Sequence, residues 1–397
     1  MVEGLPLREM TRYETCKVVL EGRMTVLEAA AALELSERQV YRIKKRVAAE
    51  GFAGVFHKNK GREPHNKTKK EVREKVIELA MTEYAAFNFS HLADMLEEEH
   101  KIKRSDETLR RWLRPLGHGG RIRRGKTHHR HRERKSQEGS MLFLDGSPHP
   151  WFGPDEPDCC LLLASDDATG KPLWGKFQPA EDRDGCFDVC YHVFRRYGLP
   201  ASFYLDRASQ FTTTRHGGVH VSQSDLEDTQ FERAMRELGI AILFANSPQA
   251  RGRGERLNGS FQNRLVAELA HKGIKTYLEA TNYLNKVFIP RYAKEFEELP
   301  ANPTPSWRSV PMGLDLRTVL CAKHTRTVAR DYTVQFDGKC YQLYPKSDFP
   351  YLPGKRIEVQ EHFDGTIHFY YSSHGRIRAV LIHVKEAQDA LAAPSLF

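Results

Sequence analysis

Ala245-Asn246-Ser247-Pro248-Gln249-Ala250-Arg251-Gly252-Arg253-Gly254-Glu255-Arg256-Leu257-Asn258-Gly259 runs from a glycine- and arginine-rich approach into an amphipathic helix. From Leu257 onward, Leu257, Phe261, Leu265 and Leu269 recur every four positions, so one stripe of the helix is set to pack on a core. At ~100° per residue, Glu255, Asn258 and Gln262 fall close together on the polar side, with Gly259 between them. A missing side chain there lets a bulky polymer backbone approach. A carboxylate held on that face beside Arg251 and Arg253 suits a site that handles a metal ion and a phosphate.

Upstream, two short apolar strands each run into an aspartate. Met141-Leu142-Phe143-Leu144 ends in Asp145, and Ala201-Ser202-Phe203-Tyr204-Leu205 ends in Asp206. The order strand-Asp, strand-Asp, helix-Glu resembles the DDE transposase and retroviral integrase superfamily, and most nearly bacterial insertion-sequence transposases with an integrase-like core. The wording carries the resemblance as well as the spacing. Leu144-Asp145-Gly146-Ser147-Pro148-His149, Asp166-Asp167-Ala168-Thr169-Gly170, Leu205-Asp206-Arg207 and the run from Ser247 to Glu255 all look like blocks of that family. At block level the match covers residues 138 to 290, and in domain order the whole chain.

Composition sets bounds on the rest. A chain of 397 residues is too long for one ordinary core. No run approaches the ~20 apolar residues of a membrane helix, and the polar start with Glu3, Arg8 and Glu9 lacks a signal-peptide core. A cytoplasmic location, nucleoid-associated when on DNA, and no membrane partner are the expectation. The seven cysteines contain no C-x-x-C pair, so neither a disulfide framework nor a zinc site is indicated. Residues 1–140 hold 31 Lys and Arg against 21 Asp and Glu, while the remainder holds 30 against 31. The basic surplus is confined to the first third, the footprint of a polyanionic partner.

That first third reads as two helical units and a basic arm. Thr25 caps a short alanine-rich helix, and Ser36-Glu37-Arg38-Gln39 is a capping box opening the next. There Val40, Ile43 and Val47 face inward, leaving Arg38, Arg42, Lys45 and Arg46 for DNA, as on a helix-turn-helix recognition helix. A solvated basic face is the plainer alternative. The second unit has Leu109, Trp112, Leu113 and Leu116 inward, with Arg110, Arg111 and Arg114 as candidate DNA contacts. Residues 117–135 cannot form a core; Arg121, Arg123, Arg124, Lys126, Arg130 and Arg132 make an arm expected to order against phosphates. His128, His129 and His131 have no second ligand cluster and read as part of that arm.

The fold class expected is multidomain α/β. Alternating strand and helix signals over 140–270 argue a mixed sheet, which the resemblance narrows to an RNase H-like catalytic core. Short alternating strands beyond residue 323 read as a small C-terminal β-barrel. The boundaries expected are 1–53 for the helix-turn-helix domain, 54–66 a linker, 67–117 a second helical DNA-binding domain, 118–137 a basic linker, 138–298 the core, 299–322 a proline-rich linker and 323–385 the barrel.

Breaking a phosphodiester demands an activated nucleophile, an electrophilic phosphorus and a stabilised leaving oxygen. Two Mg²⁺ ions ~3.5–4 Å apart supply all three, and hard oxygen ligands suit them. The resemblance implies that Asp145 bridges two Mg²⁺ ions, Asp206 holds one and Glu255 the other, with Mn²⁺ able to substitute and Arg251 and Arg253 beside the DNA. Asp166 or Asp167, also at a strand end, is the rival for the first place, though a supporting or turn role fits that block better. The 49-position gap from Asp206 to Glu255 is longer than in retroviral integrases, and the excess around Thr212 to Asp228 reads as an inserted polar loop. The function implied is a transposase that binds terminal inverted repeats of double-stranded DNA, cleaves, and joins 3′-hydroxyls to target DNA, acting as at least a homodimer. A DNA-binding regulator with an inactive core, or a structure-selective nuclease, are the alternatives.

Overall fold

The structure is a computed structural model that describes residues 7–56, 68–119, 133–206, 229–244 and 252–384. The chain divides into two compact units, Met1–Val76 and Ile77–Phe397.

The first unit is built on α1 (Leu7–Leu20), α2 (Val26–Leu33) and α3 (Glu37–Glu50). Thr25 and Glu28 form a capping box at the start of α2. At the start of α3 the Ser36 amide donates to Gln39 Oε1 at 3.1 Å, satisfying a donor the helix cannot use itself. Between them Glu34 adopts φ 52°, the left-handed conformation that ends α2 and turns the chain. Cys16, Val19, Ala29, Ala30, Val40, Ile43 and Val47 are buried, so the inward phase of α3 is the one its apolar spacing dictates.

In the second unit, α4 (Lys70–Met81), whose first turns belong to the preceding unit, is followed by α5 (Phe89–Glu98) and α6 (Asp106–Leu113). Leu109 and Leu113 of α6 are fully buried, but Leu116 is 48% exposed. The apolar phase fails there because α6 stops at Leu113 and Pro115 opens a tighter turn over Arg114–Leu116, which rotates the last leucine outward.

The core follows as β1 (Leu142–His149), β2 (Cys159–Asp166), β3 (Pro172–Gln178), α7 (Arg183–Tyr197), β4 (Ser202–Leu205), α8 (Gln230–Glu237), β5 (Ala241–Phe244), α9 (Gly252–His271), α10 (Tyr277–Tyr283) and α11 (Ile289–Phe296). The sheet order is β3-β2-β1-β4-β5. The first three strands are antiparallel, whereas β4 runs parallel to β1 and β5 parallel to β4. This is an RNase H-like mixed sheet. On one face Leu142, Leu144, Leu162, Phe203 and Leu205 pack with α7 and α8. On the other, Leu161, Leu163 and Phe177 meet Phe261, Leu265 and Leu269 of α9 and Leu284 and Phe288 beyond α10. Helices α10 and α11 are joined by a π-type stretch, Leu284–Phe288. Pro290 gives no N–H and its ring crowds the turn before it, so the helical hydrogen bonding widens there.

Helix α5 lies against α9 and α11 through a buried polar network. Glu268 of α9 is fully buried; its Oε1 lies 2.7 Å from His91 Nε2, its Oε2 accepts from the Tyr283 hydroxyl at 2.5 Å, and Arg291 of α11 donates to Oε1. At the rim, Arg264 of α9 donates to Asp94 Oδ2 at 2.6 Å and to Ser90 Oγ at 3.1 Å.

The proline-rich run after α11 is laid against the core: Leu199 and Arg308 exchange backbone hydrogen bonds, and Leu316, Val319 and Leu320 are buried. A six-stranded antiparallel sheet then forms from β6 (Cys321–Thr327), β7 (Thr333–Phe336), β8 (Lys339–Tyr344), β9 (Arg356–His362), β10 (Ile367–Tyr371) and β11 (Gly375–Val384), in the order β6-β9-β10-β11-β8-β7. It curls around Val334, Phe336, Tyr341, Leu343, Ile357, Val359 and Phe369, bringing its edge strands β6 and β7 together. The first strand begins at Cys321, inside the run that reads as linker, and a break at residues 328–332, where Tyr332 takes φ 62°, separates it from β7.

Candidate active site

Successive residues of a strand point to opposite faces. Since Leu142 and Leu144 of β1 and Phe203 and Leu205 of β4 serve the α7 face, Phe143 and Asp145, with Tyr204 and Asp206, turn toward α9. The Phe143 and Tyr204 rings meet edge to face at 5.8 Å. In the parallel pairing Leu142 stands opposite Phe203 and Phe143 opposite Tyr204. The pairing ends there; continued past the end of β4, the same register would bring Asp145 level with Asp206.

The first turns of α9 lie over this point. Asn258 Nδ2 donates to Asp145 Oδ2 at 2.9 Å, and Gln262 Nε2 to Ser147 Oγ at 3.0 Å. Gly254 is buried, and a Cβ on it would stand 3.6 Å from Asp145 Oδ2. Glu255 follows it, exposed, at the head of the polar row that includes Asn258 and Gln262.

Asp166 and Asp167 are used otherwise. Asp166 accepts from the Gly139 amide at 2.9 Å and from the Thr169 amide and hydroxyl at 2.8 and 2.9 Å, closing the turn from β2 to β3. Burial pushes its carboxyl up, against those hydrogen bonds. Asp167, also fully buried, accepts from the Lys135 amide at 2.8 Å and from Arg253 Nη1 at 2.5 Å.

The arginines expected to contact DNA separate into groups. Arg38, Arg42 and Lys45 project from α3, and Arg111 and Arg114 from the end of α6, all exposed. Arg46, Arg110 and Arg253 are engaged with the protein itself: Arg46 Nη1 donates to the Phe56 carbonyl at 3.1 Å, Arg110 pairs with Asp106 and Glu107, and Arg253 with Asp167. Arg121, Arg123, Arg124, Lys126, Arg130, Arg132, Arg251 and the polar insertion at 212–228 lie outside the described residues.

Glu181, two residues before α7, lies on the α7 face of the sheet, across β1 from Asp145. Its carboxylate crosses the backbone of Gly146, where any Cβ would overlap it. Nothing in the local pattern separates it from an ordinary acid near a helix start. The acids expected at the site, Asp145, Asp206 and Glu255, offer only oxygens, a set that fits a hard divalent cation. Cys160, beside Glu181 on the α7 face, is pushed up to about 12 by burial and stays protonated. The ligand atoms of Asp145, Asp206 and Glu255 do not all approach within 4.8 Å of one another; among the described residues the acid–histidine group that does is Glu83, Glu99 and His271. Carboxylates serving two separated ions need not converge so tightly. At the latter group Glu99 is already hydrogen-bonded by Tyr84 at 2.8 Å and paired with Lys272.

Residues 16–74 match the family described as winged helix-turn helix. "Putative transposase y4bF" of Sinorhizobium fredii is 32% identical over 414 residues, covering 98% of this chain and 89% of that protein. The transposase for insertion sequence IS1202 of Streptococcus pneumoniae is 28% identical, covering 96% of this chain and 87% of its own length. Among solved structures, the HTLV-2 integrase catalytic core domain in complex with magnesium (dimeric form) is 17% identical with a TM-score of 0.29, covering 39% of this chain and 91% of that one. The simian T-cell lymphotropic virus intasome in complex with PP2A regulatory subunit B56 gamma is 12% identical with a TM-score of 0.32, covering 78% of this chain and 99% of that one. These two overlaps are loose and carry no assignment.

A helix-turn-helix joined to an RNase H-like core, in a chain similar to transposases over nearly its full length, defines a DNA-binding enzyme of the polynucleotidyl-transferase type. The chain belongs to the bacterial insertion-sequence transposases, those with an integrase-like core. Among the described residues no helix is long and apolar enough to cross a membrane.

Proposed function

We propose that this transposase binds the terminal inverted repeats of its element, cleaves the DNA there and joins the exposed 3′-hydroxyls to target DNA, with Asp145, Asp206 and Glu255 holding Mg²⁺ ions, for which Mn²⁺ substitutes. What supports this reading is the hydrogen bond from Asn258, on the helix that bears Glu255, to Asp145 at the end of β1, together with the parallel register of β1 and β4, the strand that runs into Asp206. Magnesium supplies Lewis acidity toward the phosphodiester and its attacking and leaving oxygens. The chain's part is positional: Asn258 fixes the Asp145 carboxylate, Gln262 holds Ser147 and with it the outer half of β1, and the N-terminal end of α9 offers a favourable field to a phosphate. Joining two ends calls for at least a dimer on DNA.

The test is to incubate the full chain with labelled end DNA, target DNA and Mg²⁺. Products longer than the end substrate support transposition. Hydrolysis without joining favours a structure-selective nuclease, and binding with neither favours a regulator. In the same system Arg42→Ala, on the exposed face of α3, is expected to weaken end binding and to lower the slope of log K against log salt by about 1. Fluorescence anisotropy across a salt series measures it, and an unchanged slope removes Arg42 from the interface.

A Cβ on Gly259 meets nothing within 4 Å. Gly259→Ala is therefore expected to stabilise α9 by up to about 1 kcal/mol while slowing joining, because the methyl group stands where the DNA backbone approaches. Thermal melting and joining rates read the two effects separately. A variant that is more stable and equally active places the DNA elsewhere.

A further inference from the structure

The block Asp166-Asp167-Ala168-Thr169-Gly170 and the arginine at 253 have no part in the chemistry above, yet they meet. Asp167 is tied at every polar atom: its amide donates to the Met141 carbonyl at 3.0 Å, its carbonyl accepts from Arg134 Nη1 at 3.3 Å, Oδ2 accepts from the Lys135 amide at 2.8 Å and Oδ1 from Arg253 Nη1 at 2.5 Å. Three pieces of chain converge on it: the residue before β1, the end of the basic arm, and the head of α9. The side chain of Asp167 is fully buried and that of Arg253 is 18% exposed, so the pair is shielded from solvent and salt.

The head of α9 needs such an anchor. Its first turn contains Gly252 and Gly254, and glycine is, after proline, the weakest helix former. Neither glycine is forced by crowding, since a Cβ on Gly252 meets nothing and one on Gly254 makes only ordinary contact. Left to itself this turn frays, and Glu255 frays with it. Arg253 sits between the two glycines, two positions from Glu255.

We propose that Asp167 and Arg253 act as positioning residues for Glu255, clamping the head of α9 to the sheet so that the carboxylate is held in place for the reaction. The inference rests on the function proposed above. It assigns the two residues no contact with DNA or metal. It also gives the basic arm a mechanical link to the site, because Lys135 and Arg253 are held by the two oxygens of one carboxylate.

The experiment compares wild type, Asp167→Asn, Arg253→Met and Arg253→Lys as full chains, at a temperature well below the melting point of each. Amide hydrogen exchange across α9 is the readout independent of activity. Asp167→Asn and Arg253→Met are expected to speed exchange in the first turn of α9 but not around Phe261–Leu269. In joining assays they are expected to lower kcat by roughly 10- to 100-fold, to raise the Mg²⁺ concentration at half-maximal rate, and to leave the KM for end DNA unchanged. Arg253→Lys keeps the charge without the fork and is expected to fall between. Wild-type exchange in that turn together with a wild-type Mg²⁺ midpoint in both variants overturns the proposal. So does faster exchange across the whole helix, which marks a general structural pair. If the wild-type chain itself never joins ends, the functional reading fails; the exchange pattern of the first turn still reports on the clamp.

Discussion

Glu255→Gln is expected to bind end DNA as the wild type does and to join it roughly 10³-fold more slowly. The substitution keeps size and hydrogen-bonding reach while removing the charge that a divalent cation needs. Glu255 is exposed at the head of α9, so its loss leaves the packing of Phe261, Leu265 and Leu269 untouched and stability close to wild type. On the proposed site, Asp145→Asn and Asp206→Asn are expected to give the same phenotype, and any double variant to be little worse than a single one, as for residues that act as a unit. Single-turnover joining with a pre-cleaved end, beside gel-shift binding of the same DNA, makes the measurement. Undiminished joining by the Glu255 variant would overturn the assignment of the site.

Glu268→Ala is expected to cost about 3 kcal/mol of stability, because it strips the buried His91 and Tyr283 of their acceptor and leaves the half-buried Arg291 with Glu98 alone. Acid weakens the same network in two stages. Burial alone would push the Glu268 carboxyl up, yet hydrogen bonds from His91, Arg291 and Tyr283 hold it at about 2. Its contribution is complete above its ordinary value of 4.5 and is lost as pH falls from there toward 2. Burial likewise holds His91 below its ordinary 6.5, as a neutral ring, so the unfolded chain gains a proton there first. Its buried Nδ1 has no hydrogen-bond partner, consistent with a bare lone pair on that nitrogen and a proton on Nε2 directed at Glu268. Melting temperature is therefore expected to be level above pH ~7, to decline through the histidine range, and to fall again below pH ~4.5. In Glu268→Ala the second decline should shrink. A variant within about 1 kcal/mol of wild type would show the network to be dispensable.

What the sequence disclosed was whatever repeats locally. Leu257, Phe261, Leu265 and Leu269 announce α9 by spacing alone, and the Ser36 capping box announces α3. Asp145 and Asp206 stand where apolar runs end, and alternation then decides which way they face. Partners distant in the chain left no local trace. Asp167 and Arg253 are 86 positions apart and His91 and Glu268 are 177 apart, with nothing near any of them to suggest the other. Glu181 resembles any acid before a helix, and nothing near it signals that it lies over Gly146 on the face away from Asp145. The order of the C-terminal strands was similarly hidden, because β6 opens with Cys321 and Ala322, both buried, where alternation gives no signal.

The seat of α5 on α9 limits how relatives can exchange parts. A graft that replaces residues 77–118 to change the DNA sequence recognised would have to carry Arg264, Glu268 and Arg291 with it, though all three lie far downstream. A chimera cut at residue 118 alone would set a foreign helix against buried Glu268 and the half-buried Arg264 and Arg291. The breakpoints that spare them fall upstream of residue 77, so the helix-turn-helix segment can be exchanged alone while the second helical segment has to change together with the helix that bears Glu255.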